Sequence, residues 1–261
     1  MSDNPWHRLP DKPPYVLPED EDKVLTFNHR EEQKHPLCLV LIPEPFLGRP
    51  EAPLVLLGNI SGVSESDDQP TQPRPYRLKP AFMERMRNNL LNNKPHTDSK
   101  YPFVYFDPEV NPPGQEGQDW WDRKLKHVLA EFGDSDEAKR ILAKNLFAVE
   151  FFPYVSSSNR YAHDRLSLPS QEYSLSLVRR AIEGEAVIVS EHGERHGLGH
   201  GPVIALRHGE RRWLEKVPEL DGYPRLVRLK NYAKGLISRN NCVGNGWSHI
   251  EELVRRLESV K

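Results

Sequence analysis

Leu54-Val55-Leu56-Leu57 runs without interruption into Gly58-Asn59-Ile60-Ser61-Gly62. Consecutive apolar residues suit a strand buried on both faces, as in a parallel sheet. A glycine-bracketed loop at the carboxyl end of such a strand suits the ligand crevice of an open α/β sheet. Outward from this segment, Leu146 to Phe152 reads as a second strand, ending at Pro153-Tyr154. Ala186-Val187-Ile188-Val189 is a third, read as another buried parallel strand, and Val203 to Leu206 and Leu226 to Leu229 follow. Phe103 to Phe106 reads as a short strand, and Leu37 to Ile42 as a buried strand or strand-like segment. Between them lie helical periods: Pro80 to Asn93, Asp119 to Phe132 led by Trp120-Trp121, Ser135 to Asn145 with Ser135 as N-cap, Ser170 to Ile182, and Ser248 to Leu257. Strands alternating with helices predict an α/β fold with a mainly parallel sheet between helices.

The chain has 261 residues, 37% hydrophobic and 28% charged. That describes a globular chain with ample material for one core rather than a disordered one. No apolar run approaches the ~20 residues of a membrane helix. The opening MSDNPWHRLPDKPP lacks the apolar stretch of a signal peptide. Cys38 and Cys242 are the only cysteines, which excludes a disulfide framework and favours a cytoplasmic home. A net charge of -2 excludes a polycation, so any nucleic-acid site must be a local basic surface. Proline supplies 24 residues, well above the usual share of about 5%. Residues 1–36 are rich in it and read as an arm draped over a single domain of residues 37–261, or as partly disordered.

Three segments carry candidate chemistry. In the first, Gly58 and Gly62 allow close backbone approach and Asn59 offers an amide that can orient water, although glycine and asparagine also build ordinary turns. In the second, five basic residues and no acidic one lie between Tyr223 and Asn241. Leu236 and Ile237 interrupt this basic loop, as a wedge inserted into a base stack would, or as an apolar pair anchoring the loop. In the third, Glu150 interrupts the apolar strand Phe147 to Phe152, where a buried carboxylate must be paired, protonated or functional. Tyr154 and Ser156 stand just beyond it, placed for a flipped base or a phosphate. Alternatively, Glu150 faces solvent as the strand leaves the core.

Together these segments resemble the uracil-DNA glycosylase superfamily. Gly58-Asn59-Ile60-Ser61-Gly62 stands where that family has GINPG or GEAPG. Asn231, with Gly235-Leu236, Ser238 and Arg239, stands where it has NPSGLSR. In a gapless register Ile60 takes the place of the family's catalytic Asn; with one inserted residue Asn59 takes it. Ile237 is an insertion in the second motif, and Tyr232 replaces a proline. LPEPFLG, the Trp pair, FFPYVSS and LPSQEY are similar to a bacterial branch, the anti-phage glycosylases acting on glucosylated hydroxymethylcytosine.

The resemblance implies a three-layer α/β/α fold with a central, mainly parallel four-stranded sheet. It implies a monofunctional glycosylase that flips a modified base, α-glucosyl-hydroxymethylcytosine of phage DNA, and leaves an abasic site in antiviral defence. Asn59 and Asn231 would be catalytic. Gly58, Ile60, Ser61, Gly62, Phe106, Glu150 and Tyr154 would line the base pocket. Ser156, Lys234, Leu236, Ile237, Ser238 and Arg239 would hold DNA. The partner would be double-stranded DNA bearing modified bases, bound by a cytoplasmic monomer with no cofactor, no metal and no membrane contact. A uracil or mismatch repair enzyme and a catalytically silent nucleic-acid-binding module are the alternatives. His192, His196 and His200 have metal-ligand spacing, but the glycines between them argue against the helix that would align them.

Overall fold

The computed structural model describes residues 3–30, 35–62, 75–92, 96, 98–133, 136–156, 166–232 and 235–260. In chain order the α-helices are α1 (Glu21–Asn28), α2 (Pro80–Leu91), α3 (Glu116–Glu131), α4 (Asp136–Lys144), α5 (Gln171–Glu183), α6 (Glu210–Lys216) and α7 (Gly246–Ser259). The strands are β1 (Phe46–Gly48), β2 (Leu54–Gly62), β3 (Leu146–Ser156), β4 (Val187–Val189), β5 (Arg195–Gly197), β6 (Val203–Leu206) and β7 (Leu226–Val227).

The central sheet has the order β1-β3-β2-β6-β7. β3, β2, β6 and β7 are parallel, while β1 pairs antiparallel with β3 at the edge. The sheet is therefore mixed and five-stranded rather than four-stranded. The added strand is Phe-Leu-Gly, too short and too proline-flanked to show a strand pattern on its own. β2 and β3 are the long central strands, and Leu54 to Leu57 are almost fully buried, as their unbroken apolar character predicts. Helices cover both faces. Phe151 meets Trp213 of α6 edge-on at 5.3 Å, and Trp120 and Trp121 of α3 lie against Arg207 beyond β6.

Several sequence expectations need correction. Gly58–Gly62 is not a loop but continues β2 along β3, and β3 runs through Pro153-Tyr154 to Ser156 instead of ending before them. Val104–Phe106 is a 3-10 helix, not a strand. Its residues are all buried, and a short apolar run has the same pattern in either state. Leu37 to Ile42 makes no strand and contributes only an isolated bridge from Leu37 to Ser156. Val187–Val189 is not a parallel strand of the main sheet; it forms a separate antiparallel hairpin with β5. Its free edge is met by the Asn145 carboxamide, which accepts from the Val189 N–H (2.8 Å) and donates to the Val189 carbonyl (2.9 Å). Helix α6 was not anticipated at all. Ser135, expected to cap α4, lies outside the described residues.

The proline-rich N-terminal segment shares the core. Trp6, Leu17, Val24 and Phe27 are almost completely buried. The Tyr154 hydroxyl donates to Asp20 (2.8 Å) and accepts from the Leu17 N–H (3.1 Å), so the end of β3 is tied to this segment. Among the described residues, no helix is long and apolar enough to cross a membrane.

Candidate functional site

The chain passes from β2 to β3 on one side of the sheet, then crosses to β6 and β7 on the other. The connections after β2 and β6 thus diverge, and the carboxyl ends of strands whose connections diverge are where α/β sheets bind ligands. Gly58 and Asn59 stand on one side. Arg207, His208 and Gly209 stand on the other, where the Arg207 and His208 N–H groups both approach the Leu57 carbonyl (2.8 and 3.3 Å).

Asn59 is 9% exposed. Its Oδ1 accepts from Arg212 of α6 at 2.5 Å. Gly209, at φ +71, lets the start of α6 approach that oxygen; a Cβ there would lie 3.2 Å from it. The indole N–H of Trp213 donates to the Gly58 carbonyl at 2.8 Å. Helix α6 thus fixes both the backbone and the side chain at the end of β2. A carboxamide oxygen has two lone pairs, so the Arg212 bond orients Asn59 and leaves one acceptor position for water.

Glu150 pairs with Gly58 in the β3–β2 register, and a Cβ on Gly58 would collide with its carboxyl group. Residues one apart on a strand face opposite ways, so Glu150 and Asn59 flank β2 on opposite faces. Glu150 is buried, not solvent-facing. Burial raises its pKa to about 7, against the opposing pull of Arg207 and with a small further push from Glu44. His208 is shifted the other way, down to about 4, by burial and by the charges of Arg207 and Lys124, so it is neutral at physiological pH.

The end of β2 joins a second polar group. Ser61 donates to Glu44, which forms a buried ion pair with Arg77 and accepts from the Tyr105 hydroxyl at 2.8 Å. Arg77 also donates to the Gly62 carbonyl (3.0 Å). Beyond it opens a cleft of about 480 Å³ lined by Tyr76, Lys79, Gln115, Asp119 and Arg123 among others. Ser61 and Gly62 are thus tied to Glu44 and Arg77, the latter next in sequence to Tyr76 of the cleft wall, while Ile60 is half-buried against the core.

The second motif is only partly assembled with the first. Asn231 is exposed, and its backbone pairs with the Asn241 side chain. Its loop returns to that divergence through Tyr232, whose hydroxyl bonds Glu210, and through Gly235, where a Cβ would strike the His208 ring. Ile237 is fully buried and is an anchor rather than a wedge; Leu236 keeps partial exposure. Ser238 is 8% exposed and its carbonyl receives the Asn241 and Cys242 N–H groups. Arg239 is exposed but paired with Glu251 of α7. Lys234 lies outside the described residues.

Three expected site residues belong to the interior instead. Phe106 packs against Phe103 at 5.3 Å. Tyr154 is committed to Asp20 and Leu17. Ser156 is fully buried, its hydroxyl donating to the His35 and Pro36 carbonyls (3.2 and 3.4 Å). The site residues that sequence reasoning missed are Arg207 and Arg212. One signal was available: Val203 to Leu206 runs into Arg207-His208-Gly209 much as Leu54 to Leu57 runs into Gly58-Asn59. No group of three or more His, Cys, Asp or Glu among the described residues could hold a metal ion. No family model, curated protein or solved structure matches the chain.

Proposed function

We propose that the protein is a monofunctional DNA glycosylase with a uracil-DNA-glycosylase-like core, acting on a modified cytosine of viral DNA. The observation that carries this reading is Asn59. A carboxamide is held by Arg212 at the carboxyl end of the central parallel strand, where the sheet's connections diverge. Enzymes that act on a base must first extrude it from the duplex, and the divergence of β2 and β6, with Asn59, Arg212 and His208 beside it, suits the extruded nucleotide.

In the reaction, Asn59 accepts a hydrogen bond from water and aims its oxygen at C1′ of the flipped nucleotide. The N-glycosidic bond breaks, its electron pair leaves with the base, and the sugar passes through an oxocarbenium-like state. The water oxygen bonds C1′ and its proton is transferred to the departing base, giving an abasic site and a free base. The guanidinium of Arg212 and the amide of Asn231 are the groups suited to stabilise the anionic base, because fixed donors act strongly where charge develops. No lysine stands in the place of Asn59 or Asn231 as a Schiff-base nucleophile, so strand cleavage is not expected.

The resemblance to the anti-phage branch is what points to a bulky modification on the base. The test is base release from duplexes carrying glucosylated hydroxymethylcytosine, hydroxymethylcytosine or uracil, read as abasic sites. Release from the glucosylated duplex is expected. Efficient release of uracil alone would restore a repair role, and release from none would favour a silent binding module.

A further inference from the structure

The side chains expected to grip DNA are largely committed elsewhere. Ser156 and Ile237 are fully buried, and Glu251 engages the Arg239 guanidinium. Another set of cations is gathered around helix α3, whose middle reads Asp122-Arg123-Lys124-Leu125-Lys126. Asp122 is neutralised by Lys139 of α4 at 2.7 Å, which leaves the three basic residues in excess. Arg123 and Lys126 are exposed, as is Lys79 at the start of α2. None of these three makes an ion pair with another described residue. Lys79 and Arg123 share the wall of the 480 Å³ cleft with Asp119, which pairs with neither. Lys124 is ordered by Trp120, its Nζ lying 5.3 Å from the ring centre, and the Arg207 guanidinium lies 4.7 Å from the same centre. Burial, and then the charges of Arg207 and Arg123, make Lys124 a weaker base.

Like charges crowded on one surface repel in the free protein and raise the local concentration of an opposite ligand. The patch adjoins the candidate site at two points. Arg77, two residues before Lys79, donates to the carbonyl of Gly62 at the end of β2 (3.0 Å). Lys124 is near enough to His208 for its charge to lower the basicity of that imidazole. The spread of the cations identifies the ligand. A small anion would meet only the pair in the cleft. A phosphodiester chain, with a charge every ~3.4 Å of axis on each strand, meets the whole row.

We propose that Lys79, Arg123, Lys124 and Lys126 form a phosphate-binding stripe that holds the DNA backbone against helix α3, beside the carboxyl ends of β2 and β6. The inference rests on the glycosylase reading for the choice of DNA as the polyanion. It deepens that reading by naming backbone contacts that lie in neither sequence motif.

The experiment measures binding of a short unmodified DNA duplex, an RNA duplex of the same sequence and inorganic phosphate to the full chain over a series of salt concentrations. The proteins are the wild type, the triple variant Lys79→Gln/Arg123→Gln/Lys126→Gln, Arg123→Gln alone, and the control Lys12→Gln/Lys216→Gln, which removes two exposed cations elsewhere. Melting temperatures establish folding, and Arg123→Gln carries the test where the triple variant fails to fold. Base release is assayed in parallel. The triple variant should lower the slope of log affinity against log salt by about 2–3, and Arg123→Gln by about 1. At physiological salt the triple variant should weaken DNA binding about tenfold or more, raise KM for release and leave kcat unchanged. The control should keep the wild-type slope. No DNA binding by the wild type, an unchanged slope in the folded variants, a loss matched by the control, or tighter binding of the RNA duplex would overturn the proposal. So would phosphate binding that the variants abolish while DNA binding stays intact, since the cleft would then serve a small anion. DNA binding that depends on these cations, in a protein that releases nothing from any duplex, would uphold the stripe and reject the glycosylase. Normal release by the triple variant, with KM and salt slope unchanged, would do the opposite.

Discussion

Glu150 holds its proton more than two pH units above the usual carboxylate range because its surroundings solvate the charge poorly. Between its ordinary value of 4.5 and about 7, the folded chain keeps a proton that the unfolded chain has released. Stability therefore falls as pH rises through that window and levels off above it. His96 and His208, both shifted by burial to about 4, act in the opposite sense, so the difference between variant and wild type isolates the carboxyl. Glu150→Gln should be close to wild type at pH 4.5 and more stable by on the order of 3 kcal/mol above pH 7. Denaturant melts at a series of pH values measure this, and a difference independent of pH would place Glu150 in contact with water. Asn59 makes the second prediction at this scale. Asn59→Ala should abolish base release while DNA affinity stays within about threefold, a split of about 0.7 kcal/mol in binding. Arg212→Ala should reduce the rate with less effect, since Asn59 survives but loses its anchor; single-turnover assays and binding titrations separate the two effects.

Strand β2 shows how an element enforces its own composition. Gly58 and Gly62 read alike in sequence, as two brackets of one loop. In the structure only Gly58 is closed in, by the Glu150 carboxyl, whereas a Cβ at Gly62 meets nothing within 4 Å. Gly58→Ala should therefore destabilise by about 1–3 kcal/mol through overpacking. Gly62→Ala should stay within about 0.5 kcal/mol of wild type, as most surface changes do. Urea denaturation distinguishes them, and equal effects would remove Glu150 from the face of Gly58. The carboxyl end of β3 supplies a parallel case. Tyr154→Phe would leave Asp20 with one donor fewer and the Leu17 N–H without an acceptor. Each buried group so orphaned costs about 1–3 kcal/mol, and the loss should appear in thermal melts with little change in base release, because Tyr154 serves the core.

At the scale of the whole molecule, a net charge of -2 means that any affinity for DNA must come from a few placed cations. Lys234→Ala should lower the slope of log affinity against log salt by about one phosphate contact. Arg239→Ala should lower it by less, because Glu251 already engages that guanidinium; anisotropy titrations at several salt concentrations test the order. The α/β class and the core of β2, β3 and β6 were legible in Leu54 to Leu57, Leu146 to Phe152 and Val203 to Leu206, since burial on both faces writes itself as an unbroken apolar run. Asn59 and Glu150 were legible as candidates for the same reason, being polar residues at or in such runs. The edge strand Phe46–Gly48, the 3-10 turn at Val104–Phe106 and the separate hairpin of Val187–Val189 were not, because short apolar segments carry no period and their state is chosen by the backbone beside them. Composition and local pattern alone determined that this chain builds an α/β fold around a mainly parallel sheet, with the polar run Gly58 to Gly62 following the apolar half of its central strand; that this run continues β2 rather than forming a loop was decided by its pairing with β3. Only the tertiary structure decided that Ile237, Phe106 and Tyr154 are interior. It alone set Arg212 on Asn59 and Arg207 in the row of Glu150, because those contacts join residues far apart in the chain, through register and helix packing that no local stretch encodes.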